Sequence, residues 1–310
     1  MKIALLGHTG FVGTNVAEVL LENSLNFETV SKSGGCDLRE ADQTMATLKR
    51  INPDVIINCA AHVGSLNYVT EQAATVISDN SRMILTMYEA IAKVCPKALV
   101  INPIGNCAYP AKADTFIEDF WWDGHLHRSV LAYGATRRLM WTVAESYQMQ
   151  YHIKSINLLV PNMYGPHDST DPNKAHALNA LISKFVKASE MGNDEIVIWG
   201  TGVAIREWLY AKDFGRIVLE IINNQNMIGL AEPINVGQNF GLSVKELVEI
   251  ITRTFDYKGK IIWDTKMPDG APKKVMDERR FRKVFKDFKF TKFEDGIKNA
   301  VEYYKSKLPY

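Results

Sequence analysis

The residues with the clearest chemical potential are the glycines of Gly7-His8-Thr9-Gly10-Phe11-Val12-Gly13, which directly follow the apolar run Ile3-Ala4-Leu5-Leu6. A buried strand that feeds such a turn can bring backbone close to a pyrophosphate. A helix starting near Phe11 then aims its free amides and positive dipole end at the phosphates. The amphipathic run Val12, Val16, Val19, Leu20 supports that helix. At the end of the second strand, Phe27-Glu28-Thr29-Val30-Ser31-Lys32-Ser33 places no carboxylate where an NAD site would hold its ribose hydroxyls. Ser31 and Lys32 stand where a 2′-phosphate would be held, which favours NADP(H); the alternative is that Lys32 is a solvated turn lysine. The four cysteines, Cys36, Cys59, Cys95 and Cys107, lie far apart with no C-x-x-C spacing, so they give no metal signal and fit a reducing compartment.

The elements that must position these groups alternate between strand and helix. A helix around Asp42 to Arg50 leads through Asn52-Pro53-Asp54 into the uninterrupted apolar strand Val55-Ile56-Ile57-Asn58-Cys59. Helical spacing runs from Asp79 to Val94, Pro96 stops it, and the strand Ala98-Leu99-Val100-Ile101 follows. A helix from about Tyr133 to Tyr147 and a strand from Ile153 to Leu159 complete five parallel strands. This is an α/β fold with a Rossmann-type doubly wound sheet, whose ligands bind beyond the carboxyl ends of the strands.

After Pro161 the pattern is broken by Gly165, Pro166 and Pro172. A helix from Ala175 to Glu190 and a strand from Ile196 to Trp199 open a smaller substrate-facing part. Residues 213–223 and 234–236 read as a helix and strand returning to the sheet. A helix from Val244 to Phe255, a strand from Ile261 to Trp263 and terminal helices close the chain. The expected division is 1–160 plus about 210–240 for the cofactor, and 161–209 plus 241–310 for the substrate, the two interleaving. Among 310 residues, 46% are hydrophobic, and 36 Lys plus Arg face 35 Asp plus Glu. No global field therefore draws the protein to nucleic acid or an anionic membrane. No apolar run of spanning length occurs, so a cytoplasmic protein acting on a small molecule is expected.

The G-x-x-G-x-x-G spacing resembles the short-chain dehydrogenase/reductase superfamily. A closer resemblance rests on Asn58-Cys59-Ala60-Ala61-His62-Val63-Gly64, Asn106-Cys107-Ala108-Tyr109-Pro110 and Pro161-Asn162-Met163-Tyr164-Gly165-Pro166-His167-Asp168. Trp199-Gly200-Thr201-Gly202 through Arg206-Glu207, and Pro268-Asp269-Gly270-Ala271-Pro272-Lys273-Lys274, extend it. With these strings the chain resembles, nearly end to end, the GDP-L-fucose synthase (GDP-4-keto-6-deoxymannose 3,5-epimerase/4-reductase) family.

The resemblance implies a proton donor at Tyr133, the tyrosine of a Y-x-x-x-K motif, with Arg137 in place of the lysine and Gly105 in place of the serine that shares its hydrogen bond. It implies Cys107 and His176 as the pair that epimerises C3 and C5. Taken singly, Cys107 reads as packing and His176 as a solvated residue; their joint placement in matching strings is what raises them. Cofactor contacts are implied for Gly7, Thr9, Gly10, Phe11, Val12, Gly13, Ser31, Lys32, Asp37, Leu38, Ala60, Ala61, Val63, Tyr133, Arg137, Pro161 and Met163. A GDP-sugar would be held by Asn162, His176, Lys184, Trp199, Arg206 and Asp269, with Lys184 replacing an arginine. Arg206 could instead form only a surface ion pair. The segment from Pro110 to Val130, with Trp121, Trp122, His125 and His127, departs from the family and either shapes the sugar pocket or is merely structural. The implied activity is NADP(H)-linked epimerisation, reduction or both on a GDP-linked 4-keto sugar. Gly105 and Arg137 suggest an epimerase without effective reductase activity, and a non-catalytic cofactor-binding scaffold is the reading from another class. A homodimer through the helices near 79–94 and 133–147 is expected by the same resemblance.

Overall fold

A computed structural model describes residues 1–171, 174–225, 232–267 and 269–309. Pro172 and Pro268, named above, lie outside the described residues. In chain order the first half contains β1 (Ile3–Leu6), α1 (Phe11–Glu22), β2 (Glu28–Val30), α2 (Ala41–Ile51), β3 (Val55–Asn58), α3 (Leu66–Glu71), α4 (Ala73–Val94), β4 (Leu99–Gly105), β5 (Thr115–Phe116) and α5 (Leu131–Tyr151). The second half contains β6 (Ser155–Val160), β7 (Asn162–Tyr164), α6 (Ala177–Glu190), β8 (Glu195–Trp199), β9 (Ile205–Arg206), β10 (Trp208–Tyr210), α7 (Ala211–Asn223), β11 (Ile234–Asn235), β12 (Leu242–Ser243), α8 (Val244–Phe255), β13 (Lys260–Asp264), β14 (Lys273–Met276), α9 (Arg279–Val284) and α10 (Phe293–Ser306).

The apolar strands make one sheet in the order β11-β6-β4-β3-β1-β2, with every pairing parallel. Ile234–Asn235, expected to return to the sheet, does so as its sixth strand and pairs with Leu158 and Leu159. β1, β3 and β6 are buried along their whole length, as helices on both faces require. One core cluster joins α2, α4 and α5 to one face, and a second joins α1 and α7 to the other. A third cluster unites α6, α8 and α10 with Ile196, Ile198, Trp208 and Tyr210. Phe281, Phe285 and Phe288 pack in the second cluster, so this stretch of the 241–310 span belongs with the sheet rather than with the smaller core.

A string of buried polar residues crosses the sheet. Asn58 donates to Asn102 at 3.1 Å, and Asn102 donates to Asn157 at 3.1 Å and to the Tyr88 hydroxyl at 2.8 Å. Each buried amide thereby finds a partner, which offsets the cost of burying it. Burial pushes the Tyr88 phenol up to about 12. The smaller part is built on β8 and β13, parallel over five residue pairs, and on the mixed sheet β12-β9-β14-β5. In the latter, β14 reaches from Arg206 on β9 to Phe116 on β5 and so ties the two parts together. No helix among the described residues is long and apolar enough to cross a membrane.

Candidate active site

The turn after β1 is built as its glycines require. Gly7 has φ +75°, and its amide donates to the Val30 carbonyl at 2.8 Å. A Cβ on Gly13 would lie 2.2 Å from the Gly7 carbonyl oxygen, so only glycine lets α1 press onto the turn. Gly10 is different: a Cβ there would meet only the Gly7 oxygen at 3.4 Å, an ordinary contact. Its bare backbone is required by no internal neighbour, as expected where an outside group must approach closely. Thr14 staples the turn, donating to His8 and Gly10 carbonyls at 3.0 and 2.9 Å. The first turn of α1 carries no acidic residue, so its amides present an uncompensated positive end. The residues present thus fit a dinucleotide pyrophosphate.

A second group of side chains gathers where β4 meets α5. Gly105 ends β4 with φ −65° and ψ 140°, which any residue adopts. A Cβ on it would stand 3.5 Å from the Cys107 sulfur and 3.8 Å from Tyr133 Cε1. The site therefore has room for a serine and holds none. Tyr133 and Arg137, one turn apart on α5, lie together, the guanidinium carbon 4.9 Å from the centre of the tyrosine ring. Arg137 is 3% exposed; it donates to Asn80 at 3.1 Å, and its Nε is buried without a partner. Such an orphaned donor at the mouth of a cofactor site fits a ribose or carbonyl oxygen of a bound group. Burial pushes the Cys107 thiol up to about 11, against the pull of Arg137 and then Lys274, both within Coulombic reach. Burial likewise raises the Tyr133 phenol, again opposed by Arg137.

His176 is placed elsewhere on the rim. It stands at the start of α6, its ring centre 5.4 Å from that of Phe11 in the dinucleotide turn. Its Nδ1 lies 3.1 Å from Asp168, whose carboxylate also accepts the His176 amide at 2.8 Å and Asn179 at 2.8 Å. Burial raises the Asp168 carboxyl, but the hydrogen bonds from His176 and Asn179 outweigh it and hold it below its ordinary range. An ionised Asp168 fixes the proton on Nδ1 and leaves Nε2 free. Asp168 went unassigned in the sequence reading, although it lies eight residues from His176; the acidic residue preceding the histidine was the available signal. Cys107 and His176 are therefore held by separate sets of partners.

The adenine end is more tightly paired than the sequence suggests. Ser31 is 7% exposed and its hydroxyl accepts the Gly34 amide at 3.1 Å, closing the turn. Lys32 is exposed, 3.7 Å from Asp37. Asp37 is not a free acceptor: Arg39 donates to its two oxygens at 2.9 and 2.6 Å, and that guanidinium holds the carboxyl down at about 2. Leu38 and Met163 are core residues at 6% and 5% exposure, so any contact with a ligand falls to their main chains. Thr9 and Ala61 are exposed, while Ala60, Val63 and Asn162 are half-buried and Pro161 is buried at the head of β7.

On the sugar-nucleotide side, Asp269 accepts from the Thr201 amide and hydroxyl, each at 2.6 Å. Arg206 is half-buried and donates to main-chain oxygens of Ile205 and Asp269 rather than to Glu207. It lines a cavity of about 180 Å³ with Trp208, Gln238 and Phe240. Lys274 faces it in register across β9 and β14, and burial lowers both cations from their usual range. Two partly desolvated cations side by side suit a diphosphate. Glu207 is 1% exposed, accepts the amides of Met276 at 2.6 Å and of Gln238, and is pushed up by burial to about 7. It anchors the strand that presents Lys274, a role the sequence alone did not disclose. Trp199 is 61% exposed at the end of β8, and Lys184 donates to the Val197 carbonyl.

The 110–130 segment is fixed to α5. Trp121 is fully buried against Tyr109 and Trp141, and Arg138 donates to the carbonyls of Ala108, Trp121 and Gly124 at 2.9 to 3.0 Å. His125 and His127 are exposed, and the latter caps a short turn through Ser129.

A parallel sheet with a glycine turn at its first strand, and a tyrosine and cation one helical turn apart, define a dinucleotide-dependent enzyme of the extended reductase type. The chain belongs to the NAD dependent epimerase/dehydratase family, whose model matches residues 3–237. It is 28% identical to a probable GDP-L-fucose synthase 1 of Oryza sativa subsp. japonica over 91% of this chain and 86% of the relative. A GDP-L-fucose synthetase from Naegleria fowleri, solved with NADP, matches with a TM-score of 0.86 at 24% identity, covering 98% of this chain and 94% of that one. A GDP-6-OMe-4-keto-L-xylo-heptose reductase from C. jejuni matches with a TM-score of 0.88 at 23% identity, covering 98% and 97%.

Proposed function

We propose that this chain binds NADP(H) and a GDP-linked 4-keto sugar, inverts the carbons beside the ketone, and reduces the ketone poorly. The observation that carries the reading is the corner in which Cys107 and Tyr133 are kept while the serine position is an empty glycine with space for a side chain. A 4-keto group acidifies the C–H bonds on either side of it. Cys107, as thiolate, removes one such proton; Arg137 and Lys274 lower the cost of forming that thiolate. The Tyr133 hydroxyl donates to the ketone oxygen as charge collects there. His176, its Nδ1–H held by Asp168, takes up a second proton from solvent on Nε2 and delivers it to the opposite face. The nicotinamide, when bound, supplies hydride to C4.

Reduction then meets two deficits. Gly105 offers no hydroxyl to the developing oxyanion, a loss typically worth about 2.7–4 kcal/mol. Arg137 keeps a positive charge but lies over the tyrosine ring face, and a planar guanidinium does not replace a lysine ammonium. Two copies pairing through α4 and α5 complete the proposal, supported by exposed Ile77, Leu85 and Leu131 on those helices.

The test mixes the protein with NADPH and GDP-4-keto-6-deoxymannose in deuterated buffer. Deuterium entering C3 or C5 with little loss of the reduced-nicotinamide absorbance is expected. Rapid absorbance loss would make the chain an effective reductase, and neither change would leave a cofactor-binding scaffold.

A further inference from the structure

Linked to Arg137 through Asn80 lies a third set of ionisable side chains, joined in a line. Asp79 on α4 approaches His62 Nδ1 at 2.8 Å, and His62 Nε2 lies 2.7 Å from the hydroxyl of Tyr68 on α3. Asp79 also accepts from Arg39 at 2.8 Å. Arg39 in turn is held by Asp37, so the carboxylate stays ionised beside a fixed cation. An ionised Asp79 keeps the imidazole proton on Nδ1. Nε2 is then the acceptor, and the Tyr68 hydroxyl must donate to it. This is the carboxylate, imidazole and hydroxyl arrangement that activates a hydroxyl by offering its proton a stabilised destination.

Its placement is not that of a surface cluster. His62 sits in the loop after β3, between Ala61 and Val63, at the carboxyl edge of the sheet where ligands of this fold bind. The loop is clamped at this residue: the His62 amide donates to Asn80 Oδ1 at 3.1 Å, and Asn80 Nδ2 returns to the His62 carbonyl at 2.8 Å. The same Asn80 oxygen accepts Arg137. The line is thus braced against the cation that lies over Tyr133. Tyr68 is equally fixed, since a Cβ on Gly64 would come within 2.8 Å of its ring, and Thr70 on the same helix donates to the Ser129 carbonyl just ahead of α5.

We propose that Tyr68, activated by His62 and Asp79, is a further proton-transfer group of this site, serving one of the carbons beside the ketone of the bound sugar. The inference rests on the keto-sugar reading above. In the step, the Tyr68 O–H proton passes to His62 Nε2, the phenolate oxygen takes a proton from the carbon next to C4, and the electron pair of that C–H bond moves into the enolate. Reprotonation of the carbon from a solvent-supplied acid and loss of the imidazolium proton of His62 to solvent restore Tyr68–OH and neutral His62 without any net gain or loss of electrons or protons.

Two measurements decide it. In protein labelled with ¹⁵N-histidine and free of substrate, a strongly downfield Nδ1 proton is expected from His62. It should disappear in Asp79→Asn and shift in Tyr68→Phe; a proton spectrum that neither variant alters contradicts the relay. In deuterated buffer with the GDP-keto sugar, Tyr68→Phe should slow exchange at one carbon about a hundredfold, leave the other carbon exchanging, and keep NADPH affinity. The ring stays in place, so packing is preserved, and His62→Gln should reproduce the loss. Exchange at both carbons at the wild-type rate in Tyr68→Phe overturns the proposal alone. A loss that merely tracks weakened NADPH binding also overturns it. Wild-type protein that exchanges at neither carbon contradicts the substrate reading, and the proposal with it.

Discussion

Gly13 and Gly105 are both glycines at the rim of the same sheet, yet they are there for opposite reasons. At Gly13 an added Cβ would lie 2.2 Å from a carbonyl oxygen of the turn, so the fold itself demands glycine. At Gly105 the backbone is ordinary, and the nearest atoms to an added Cβ are 3.5 and 3.8 Å away. The first glycine preserves the apparatus for holding a dinucleotide. The second has room for a side chain, and in the function we propose it lacks the hydroxyl that hydride chemistry would use. In the function we propose, binding and redox chemistry are thus separable, with proton transfer at Cys107 and His176 on the retained side.

That separation can be broken most severely at the proton-transfer pair. Cys107→Ser and His176→Asn should each slow solvent deuterium exchange at C3 or C5 by about two orders of magnitude or more, measured by NMR of the sugar. Unchanged exchange in both would remove them from the mechanism. The glycines themselves come next. Gly13→Ala should lower the melting temperature and weaken NADPH binding together, by roughly a hundredfold, because backbone must shift to admit the methyl. Gly10→Ala should keep the melting temperature and lose affinity alone, since only the approach of an outside group is obstructed. Equal melting losses in the two would erase the distinction between a glycine the fold needs and one the ligand needs.

The thiol gives a smaller and pH-dependent effect. With Cys107 pushed up to about 11, the reactive thiolate is scarce at neutral pH, so iodoacetamide should modify it about tenfold faster for each unit from pH 7 to 9. Lys274→Met removes a charge that favours the thiolate and should slow the reaction throughout that range; an unchanged rate would place Lys274 out of reach. The smallest effect is expected at Lys32, which is exposed and screened. Lys32→Glu should weaken NADPH by about fivefold and leave NADH nearly unchanged, on the scale of one surface charge pair. Equal or tighter NADH binding by wild type would contradict the NADP(H) preference.

The sheet was legible because its strands are short apolar runs bounded by turn residues, and the glycine turn because its spacing carries a geometric demand. Local pattern did show Ile234–Asn235 returning to the sheet, but not that Phe281 to Phe288 pack against it or that Trp121 is core rather than pocket lining. Those placements depend on partners that only the folded chain supplies. The same holds within the site. Cys107, Tyr133 and Arg137 were visible as members of strings, whereas Asp168, Glu207 and the Asp79, His62, Tyr68 line became visible only when the chain brought them together. The carboxylate of Asp37, a residue the resemblance places at the cofactor, is held by Arg39, a pairing no local pattern announces.

On the function we propose, Gly105 and Arg137, and not the loss of cofactor or sugar binding, limit hydride transfer. The double variant Gly105→Ser, Arg137→Lys, followed by NADPH absorbance with saturating GDP-4-keto-6-deoxymannose, tests it directly. It should oxidise NADPH at least about ten times faster than wild type, as expected if half of one oxyanion hydrogen bond is regained, and Tyr133→Phe in that background should abolish the gain. A double variant that binds both ligands and is no faster than wild type would contradict the account.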